Sequence, residues 1–296
     1  MSKRILLLVL TNILVVLTLT LIFHFTGLGN RLSGMGGGYD GFFLVCLAWG
    51  FGGAFFSLAI SRIMAKMTMG VKVIDPANPG AYSGLVEMVH RLAQEAGLPA
   101  MPEVGVYESG EINAFATGPS KRRSLVAVST GLMQRMDRDA MEGVLGHEIA
   151  HVANGDMVTM TLLQGVINAF VIFFSRILAA AMSGRGRDDE GRSGAGNFML
   201  VMLLQTVLSF LGMFVVAWFS RYREYRADAG GAAFAGRGKM IGALQVLQRA
   251  YGRGAEDPRG TALSTLKISG RGGLFALLST HPPLEERIAR LQAAGG

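Results

Sequence analysis

Cysteine is almost missing from this chain: Cys46 is the only one in 296 residues, and it lies inside an apolar run. An intramolecular disulfide is therefore excluded, and so is a CxxC metal knuckle. Any metal site has to draw on aspartate, glutamate and five histidines: His24, His90, His147, His151 and His281. Charge is scarce as well. Only 17% of the residues are Asp, Glu, Lys or Arg, against about 25% in ordinary soluble domains. No basic stripe interleaved with aromatics is present, which argues against a nucleic-acid partner. No internal repeat is visible.

Half of the chain is apolar, and the apolar residues are concentrated. Four runs stand out: 5–23, 41–60, 157–175 and 197–219. The first follows Lys3 and Arg4, as a signal peptide would. It is too long for such a segment, and no small-x-small cleavage site follows it, so it reads as a retained transmembrane helix. The chain carries a net charge of +7. Much of its basic charge flanks the runs, at Lys3, Arg4, Arg62, Lys66, Arg221, Arg223 and Arg226. The hairpin loop between the first two runs carries only Arg31. By the positive-inside rule the N-terminus and the segment from Arg62 onward are cytoplasmic. The expected organisation is a transmembrane hairpin over 1–60, a first catalytic segment over 61–156, a second hairpin over 157–219 and a second catalytic segment over 220–296. The Gly-, Arg- and Asp-rich stretch 183–196 is the loop of the second hairpin. Gln164, Asn168 and Gln205 leave open a buried or re-entrant hairpin in its place.

Between the membrane pairs the patterning is that of a soluble fold. Leu85, Met88, Val89, Leu92, Ala93 and Ala96 recur at helical spacing over 81–96, and Gly97 supplies the stop. Three strand-like runs follow, 103–107, 112–117 and 124–128. Ser109-Gly110 and Gly118-Pro119-Ser120 are the turns between them, so a small antiparallel sheet is expected. A helix then starts at Asp137 or Asp139, either of which can cap it, and stops at Asn154-Gly155. An amphipathic helix over 284–294 closes the chain.

The chemistry gathers at Gly146-His147-Glu148-Ile149-Ala150-His151. Two histidines four residues apart project from one face of a helix, so both rings can reach one metal ion. Glu148 stands beside them as a general base. This is the HExxH pattern of zinc peptidases. Catalytic zinc takes three protein ligands and keeps one position open. Glu224-Tyr225-Arg226-Ala227-Asp228 supplies the third ligand, Glu224. Asp228, one turn on, orients a ligand imidazole, most naturally that of His147. These acids could instead simply balance Arg221, Arg223 and Arg226 on a solvated helix. Two membrane runs separate His151 from Glu224, so two crossings return them to one side. Glu224 follows the fourth run by five residues, roughly 7–8 Å along a helix, which sets the site close to the membrane surface. His281, stiffened by Pro282 and Pro283, is placed to stabilise an oxyanion; a fourth metal ligand or an idle helix-entry residue are the other readings. Asn113-Ala114-Phe115-Ala116 is a candidate substrate-binding edge strand, or an ordinary packed strand. His24 and His90 read as structural, and the methionines as packing residues.

Together with Arg223-Glu224-Tyr225-Arg226-Ala227-Asp228 and His281-Pro282-Pro283-Leu284-Glu285-Glu286-Arg287, the HExxH segment resembles the HtpX family of membrane proteases. Asn113–Ala116 and the order of the four runs fit as well, and the resemblance covers nearly the whole chain. It implies one Zn2+ per chain and a zinc endopeptidase of a bacterial cytoplasmic (inner) membrane. It also implies a role in quality control of damaged or misfolded membrane proteins under stress. The implied partners are membrane-protein and unfolded polypeptide substrates, the lipid bilayer, and membrane protease or chaperone proteins. A more distant similarity to the CAAX prenyl proteases implies that the HExxH and glutamate helices pack beneath a short sheet. The fold expected is a mainly α membrane protein, with four transmembrane helices and a cytoplasmic α+β zincin-like domain. The stretch 183–196 matches this picture least. A non-proteolytic chaperone and a prenyl-peptide processing enzyme are the competing functions.

Overall fold

The structure is a computed structural model and describes residues 38–182, 193–253 and 281–294. The first apolar run, 5–23, lies outside the described residues, as does most of the expected 183–196 loop. The other three runs form long helices: α1 (Gly38–Thr68), α5 (Asp156–Met182) and α6 (Ser193–Ala235). Residues 193–196, expected in the loop, begin α6. The apolar windows of these helices have mean hydropathies of 2.0, 1.9 and 2.3. Twenty-seven helical residues, the length of α5, span about 40 Å, more than the roughly 30 Å of bilayer hydrocarbon. Leu44, Met199, Leu203 and Trp218 each expose more than half of their surface. Lipid is the environment in which such apolar surface carries no penalty.

The described residues fall into two compact units. One gathers 38–55, 161–182 and 193–218. Its helices pack through small residues and rings. A Cβ on Gly50 would stand 2.6 Å from the Gly165 carbonyl oxygen, and Phe43 meets Phe173 edge-on at 5.1 Å. The polar pair Gln164 and Asn168 is satisfied internally, with Gln164 Nε2 donating to Asn168 Oδ1 at 2.8 Å.

The second unit contains 56–160, 219–253 and 281–294. After α1 it carries β1 (Lys72–Val73), α2 (Ser83–Glu95), β2 (Glu103–Tyr107), β3 (Ala114–Ser120), β4 (Arg123–Ser129), the short α3 (Thr130–Arg135) and α4 (Arg138–Asn154). Beyond the start of α5 and the end of α6 follow α7 (Arg237–Arg253) and α8 (Leu284–Ala293). The helix boundaries follow local chemistry. Asp137, not Asp139, caps α4, its Oδ1 accepting the Ala140 N–H at 2.8 Å. Gly155 ends α4 with a left-handed φ of 71°.

The sheet corrects the antiparallel expectation. Its order is β1-β2-β4-β3, and β2 runs parallel to β4 while the outer pairs are antiparallel. β2 and β3 are consecutive in sequence but not adjacent in space, because β3 swings to the edge and its hairpin returns β4 to the centre. Burial explains the choice. Leu125, Val126, Ala127 and Val128 are fully buried and suit a strand covered on both faces. β3 is only half-buried over most of its length. The predicted Gly118-Pro119-Ser120 turn lies inside β3 instead, as a register irregularity between Thr117 and Ser120 with Gly118 at φ +144°. The reversal itself occurs at Lys121-Arg122. Leu85, Val89 and Leu92 of α2 join Val104, Val126 and Val128 of the sheet with Leu145, Ile149 and Val152 of α4 in one core. That core fixes α4, the HExxH helix, against the sheet.

Candidate metal centre

α4 presents His147 and His151 one turn apart, and α6 presents Glu224 and Asp228 one turn apart. Glycine lets the two helices meet at backbone contact. A Cβ on Gly231 of α6 would sit 2.9 Å from the His147 backbone nitrogen, and one on Gly146 would sit 2.9 Å from Ala235 Cβ. No side chain fits between them, so the short Glu224 carboxylate reaches both rings.

The three donors converge. His147 Nε2 lies 3.1 Å from His151 Nε2. Glu224 Oε2 is 3.4 Å from the former and Glu224 Oε1 is 3.3 Å from the latter, so the carboxylate spans the two rings. A tetrahedron with metal–ligand bonds of about 2.0–2.1 Å has edges of about 3.3–3.4 Å. The set therefore fits a single small cation. Both Glu224 oxygens are buried without a hydrogen-bond donor in good geometry, an arrangement that a cation would satisfy. These three residues could hold a metal ion, their ligand atoms lying within 4.8 Å of one another.

The far side of each ring is held. His147 Nδ1 lies 2.9 Å from Asp228, as the sequence suggested. His151 Nδ1 lies 2.6 Å from Asp156, a partner the sequence reading missed. The only signal for it was an acid just beyond the helix stop at Gly155. Arg287 was also missed as a site residue, although it sits in the quoted His281–Arg287 motif. It is buried, and its Nε and Nη2 donate to the two Asp228 oxygens at 2.8 and 2.5 Å. Its Nη1 is 3.6 Å from Glu224. α8 thus contributes directly to the centre. It is anchored by Ile288 and Leu291 against Met240 and Leu244. Tyr225 adds a hydrogen bond to Glu286 at 2.7 Å.

His281 Nδ1 lies 2.9 Å from Glu224, and its side chain is 55% exposed. Glu148 is half-buried beside the histidines, and its Oε2 accepts the Ala116 N–H at 3.0 Å. That bond joins the edge strand to the glutamate of the HExxH segment. Asn113 precedes β3, its carbonyl accepting the Ser129 N–H at 3.0 Å. Asn113, Phe115 and Thr117 therefore face β4 through their backbone groups, whereas Ala114 and Ala116 turn theirs outward. The Phe115 ring packs on Tyr107 at 5.7 Å. His90 bonds the Pro102 carbonyl at 3.3 Å, away from the centre. His24 lies outside the described residues.

Negative charge dominates the electrostatics. Burial disfavours charge on both rings, yet Asp228 and Glu224 raise His147 above its ordinary value. Against the same penalty, Asp156 and Glu224 push His151 up to about 9. Burial alone would raise Glu224, but its histidine neighbours hold it far below the usual carboxylate range. The centre is built to keep a cation among its acids. A metal ion bound there would take that place by displacing protons from the imidazoles.

A His-His-Glu group that could hold a metal ion, with Glu148 beside it, on a chain with helices of bilayer length, is the arrangement of a membrane-bound metalloprotease. The chain belongs to peptidase family M48, whose model matches residues 83–294. It is 52% identical over 302 residues to a protease HtpX homolog of Bacillus subtilis (strain 168), covering 99% of this chain and 100% of that one. It is 46% identical over 301 residues to protease HtpX of Shewanella baltica (strain OS185), with the same coverage. The crystal structure of S. mikatae Ste24p superimposes with a TM-score of 0.61 at 21% identity. That match covers 97% of this chain and 66% of the other, and it shows a shared fold.

Proposed function

We propose that the chain is a zinc endopeptidase that hydrolyses peptide bonds of misfolded or damaged membrane proteins, with His147, His151 and Glu224 as ligands. The convergence of these donors beside Glu148 carries the reading. Two imidazoles and one carboxylate are a donor set that suits zinc and leaves a fourth position open. When bound, the metal supplies Lewis acidity, lowering the pKa of water and polarising the scissile carbonyl. The chain's residues do the rest. Asp228 and Asp156 fix the orientation of the ligand rings. The Ala116 N–H steadies one oxygen of Glu148, and the carboxylate takes a proton from the attacking water and passes it to the leaving amine. The outward backbone groups of Ala114 and the outward carbonyl of Ala116 pair with an extended substrate, in the segment Asn113–Ala116. His281, exposed and in contact with Glu224, stabilises the oxyanion.

The location proposed is a bacterial inner membrane, crossed four times, with the centre on the cytoplasmic side. Lys3, Arg4, Arg62, Lys66 and Lys72 support that orientation. Substrates are unfolded polypeptides and membrane proteins, and membrane proteases or chaperones are the partners expected in quality control and stress response. A chaperone without proteolysis would need no base at position 148. Glu148→Gln should therefore abolish cleavage of an unfolded protein in detergent while zinc stays bound. His147→Ala, His151→Ala and Glu224→Ala should lose the metal. Loss of zinc from a folded Glu148→Gln variant would overturn these roles.

A further inference from the structure

The reversal between β3 and β4, Lys121-Arg122, and the first residue of β4, Arg123, carry three consecutive exposed basic side chains. None of the three has an acidic partner among the described residues. Nothing in the metal centre uses them, and a tight turn does not require charge. Their position is informative. Lys121 Cε lies 3.3 Å from the point where a Cβ on Gly155 would stand. At Gly155 the chain leaves α4 for α5, one of the three helices among the described residues able to span a bilayer. Arg226, on α6, reaches the same place, its Nη2 lying 3.4 Å from Asn154 Oδ1. A second path leads to the same end of the sheet. The parallel register pairs Glu103 with Leu125, which puts Arg123 beside the start of β2. Glu103 is ion-paired with Arg62, and with Lys66 at 2.8 Å, both on the last turns of α1. The sheet end nearest the points where α1 and α5 join the catalytic unit is therefore basic. Its acids are already engaged: Glu103 by Arg62 and Lys66, and Asp156 by His151.

We propose that the Lys121-Arg122-Arg123 tip docks on the anionic phospholipid headgroups of the leaflet that α5 enters. It thereby holds the β3 edge at the membrane surface. The proposal rests on the reading of the chain as a membrane protease. Clustered Lys and Arg beside a span gain from the negative surface potential of anionic lipids, and the gain fades within a Debye length. The tip and the Glu148 contact lie on one strand. Ala116 and Lys121 are five residues apart, about 16 Å of extended chain. A headgroup contact at one end thus fixes the height of the substrate edge at the other.

The test uses the full chain, zinc-loaded, in vesicles of phosphatidylcholine alone or with phosphatidylglycerol added. The substrate is a membrane-anchored protein with a neutral cleavable segment. Cleavage by the unaltered protein should be several-fold faster with phosphatidylglycerol, and high salt should erase the difference. K121Q/R122Q/R123Q should cleave at the same rate in both vesicles, and K121R/R122K/R123K should keep the lipid dependence. Cleavage of a soluble unfolded peptide in detergent should be the same for all three proteins. That arm reports on the peptidase reading by itself, and on folding. Equal stimulation of K121Q/R122Q/R123Q by phosphatidylglycerol would overturn the proposal. So would stimulation by inorganic phosphate in phosphatidylcholine vesicles, which would mark a simple anion site. A preference for acidic peptides in detergent, lost in K121Q/R122Q/R123Q, would reassign the tip to substrate charge.

Discussion

Replacing Arg287 with methionine should weaken metal binding although Arg287 is not a ligand. Arg287 is 7% exposed, and its guanidinium makes a two-point contact with Asp228, at 2.8 and 2.5 Å. It also stands 3.6 Å from Glu224. Methionine keeps much of the volume but leaves Asp228 buried with His147 as its remaining partner. Breaking a buried ion pair from one side costs about 3–5 kcal/mol. Domain stability is about 5–15 kcal/mol, so much of the protein should stay folded. The cost falls on the carboxylate that orients His147. Losing such an outer partner typically lowers metal affinity about 10–100-fold, which is about 1.4–2.8 kcal/mol. Arg287→Lys keeps the charge but not the planar fork, so it should fall between the two. The assay is zinc affinity by chelator competition, with and without added guanidinium. Guanidinium should restore part of the affinity of Arg287→Ala, whereas methylammonium should not. Unchanged zinc affinity in a folded Arg287→Met protein would refute the claim that α8 helps to build the centre.

Gly231→Val should separate α4 from α6, because a Cβ there already falls 2.9 Å from the His147 backbone nitrogen. Zinc content should drop well below stoichiometric while circular dichroism shows the helices retained; full zinc occupancy would contradict the close-approach argument. His281→Ala should keep zinc and fold but lose roughly 100–1,000-fold in turnover, with little change in substrate binding. Near-normal turnover would leave His281 as a helix-entry residue. Burial opposes charge on Glu142, but Lys239 and Arg91 hold its pKa below 4.5. Its stabilisation is therefore present above the unfolded pKa and is lost as pH falls through the lower folded value. Glu142→Gln should destabilise the protein at neutral pH by about 1–3 kcal/mol and flatten the acid limb of the stability profile. An acid limb as steep as that of the unaltered protein would assign the pH dependence elsewhere.

What the sequence determined by itself was whatever one helix or one run encodes. His147 and His151 share a face because four residues make slightly more than a turn, and Glu224 and Asp228 do so for the same reason. The bilayer-length runs, the Asp137 or Asp139 start of α4 and its Gly155 stop are equally local, since hydropathy, side-chain capping and left-handed backbone need only neighbours in the chain. The tertiary structure decided what depends on distant partners. The strand order β1-β2-β4-β3 could not be read from alternation, because a strand's pattern says which faces are buried and not which strand lies beside it. Which outward backbone groups β3 offers, and the Ala116 contact to Glu148, follow only from that register. Arg287 meets Asp228 across 59 positions of chain, a distance at which an arginine on an amphipathic helix looks like any solvated charge. Only when Ile288 and Leu291 dock α8 against α7 is that guanidinium carried into the interior, where an acid without a partner is costly and Arg287 supplies one to Asp228.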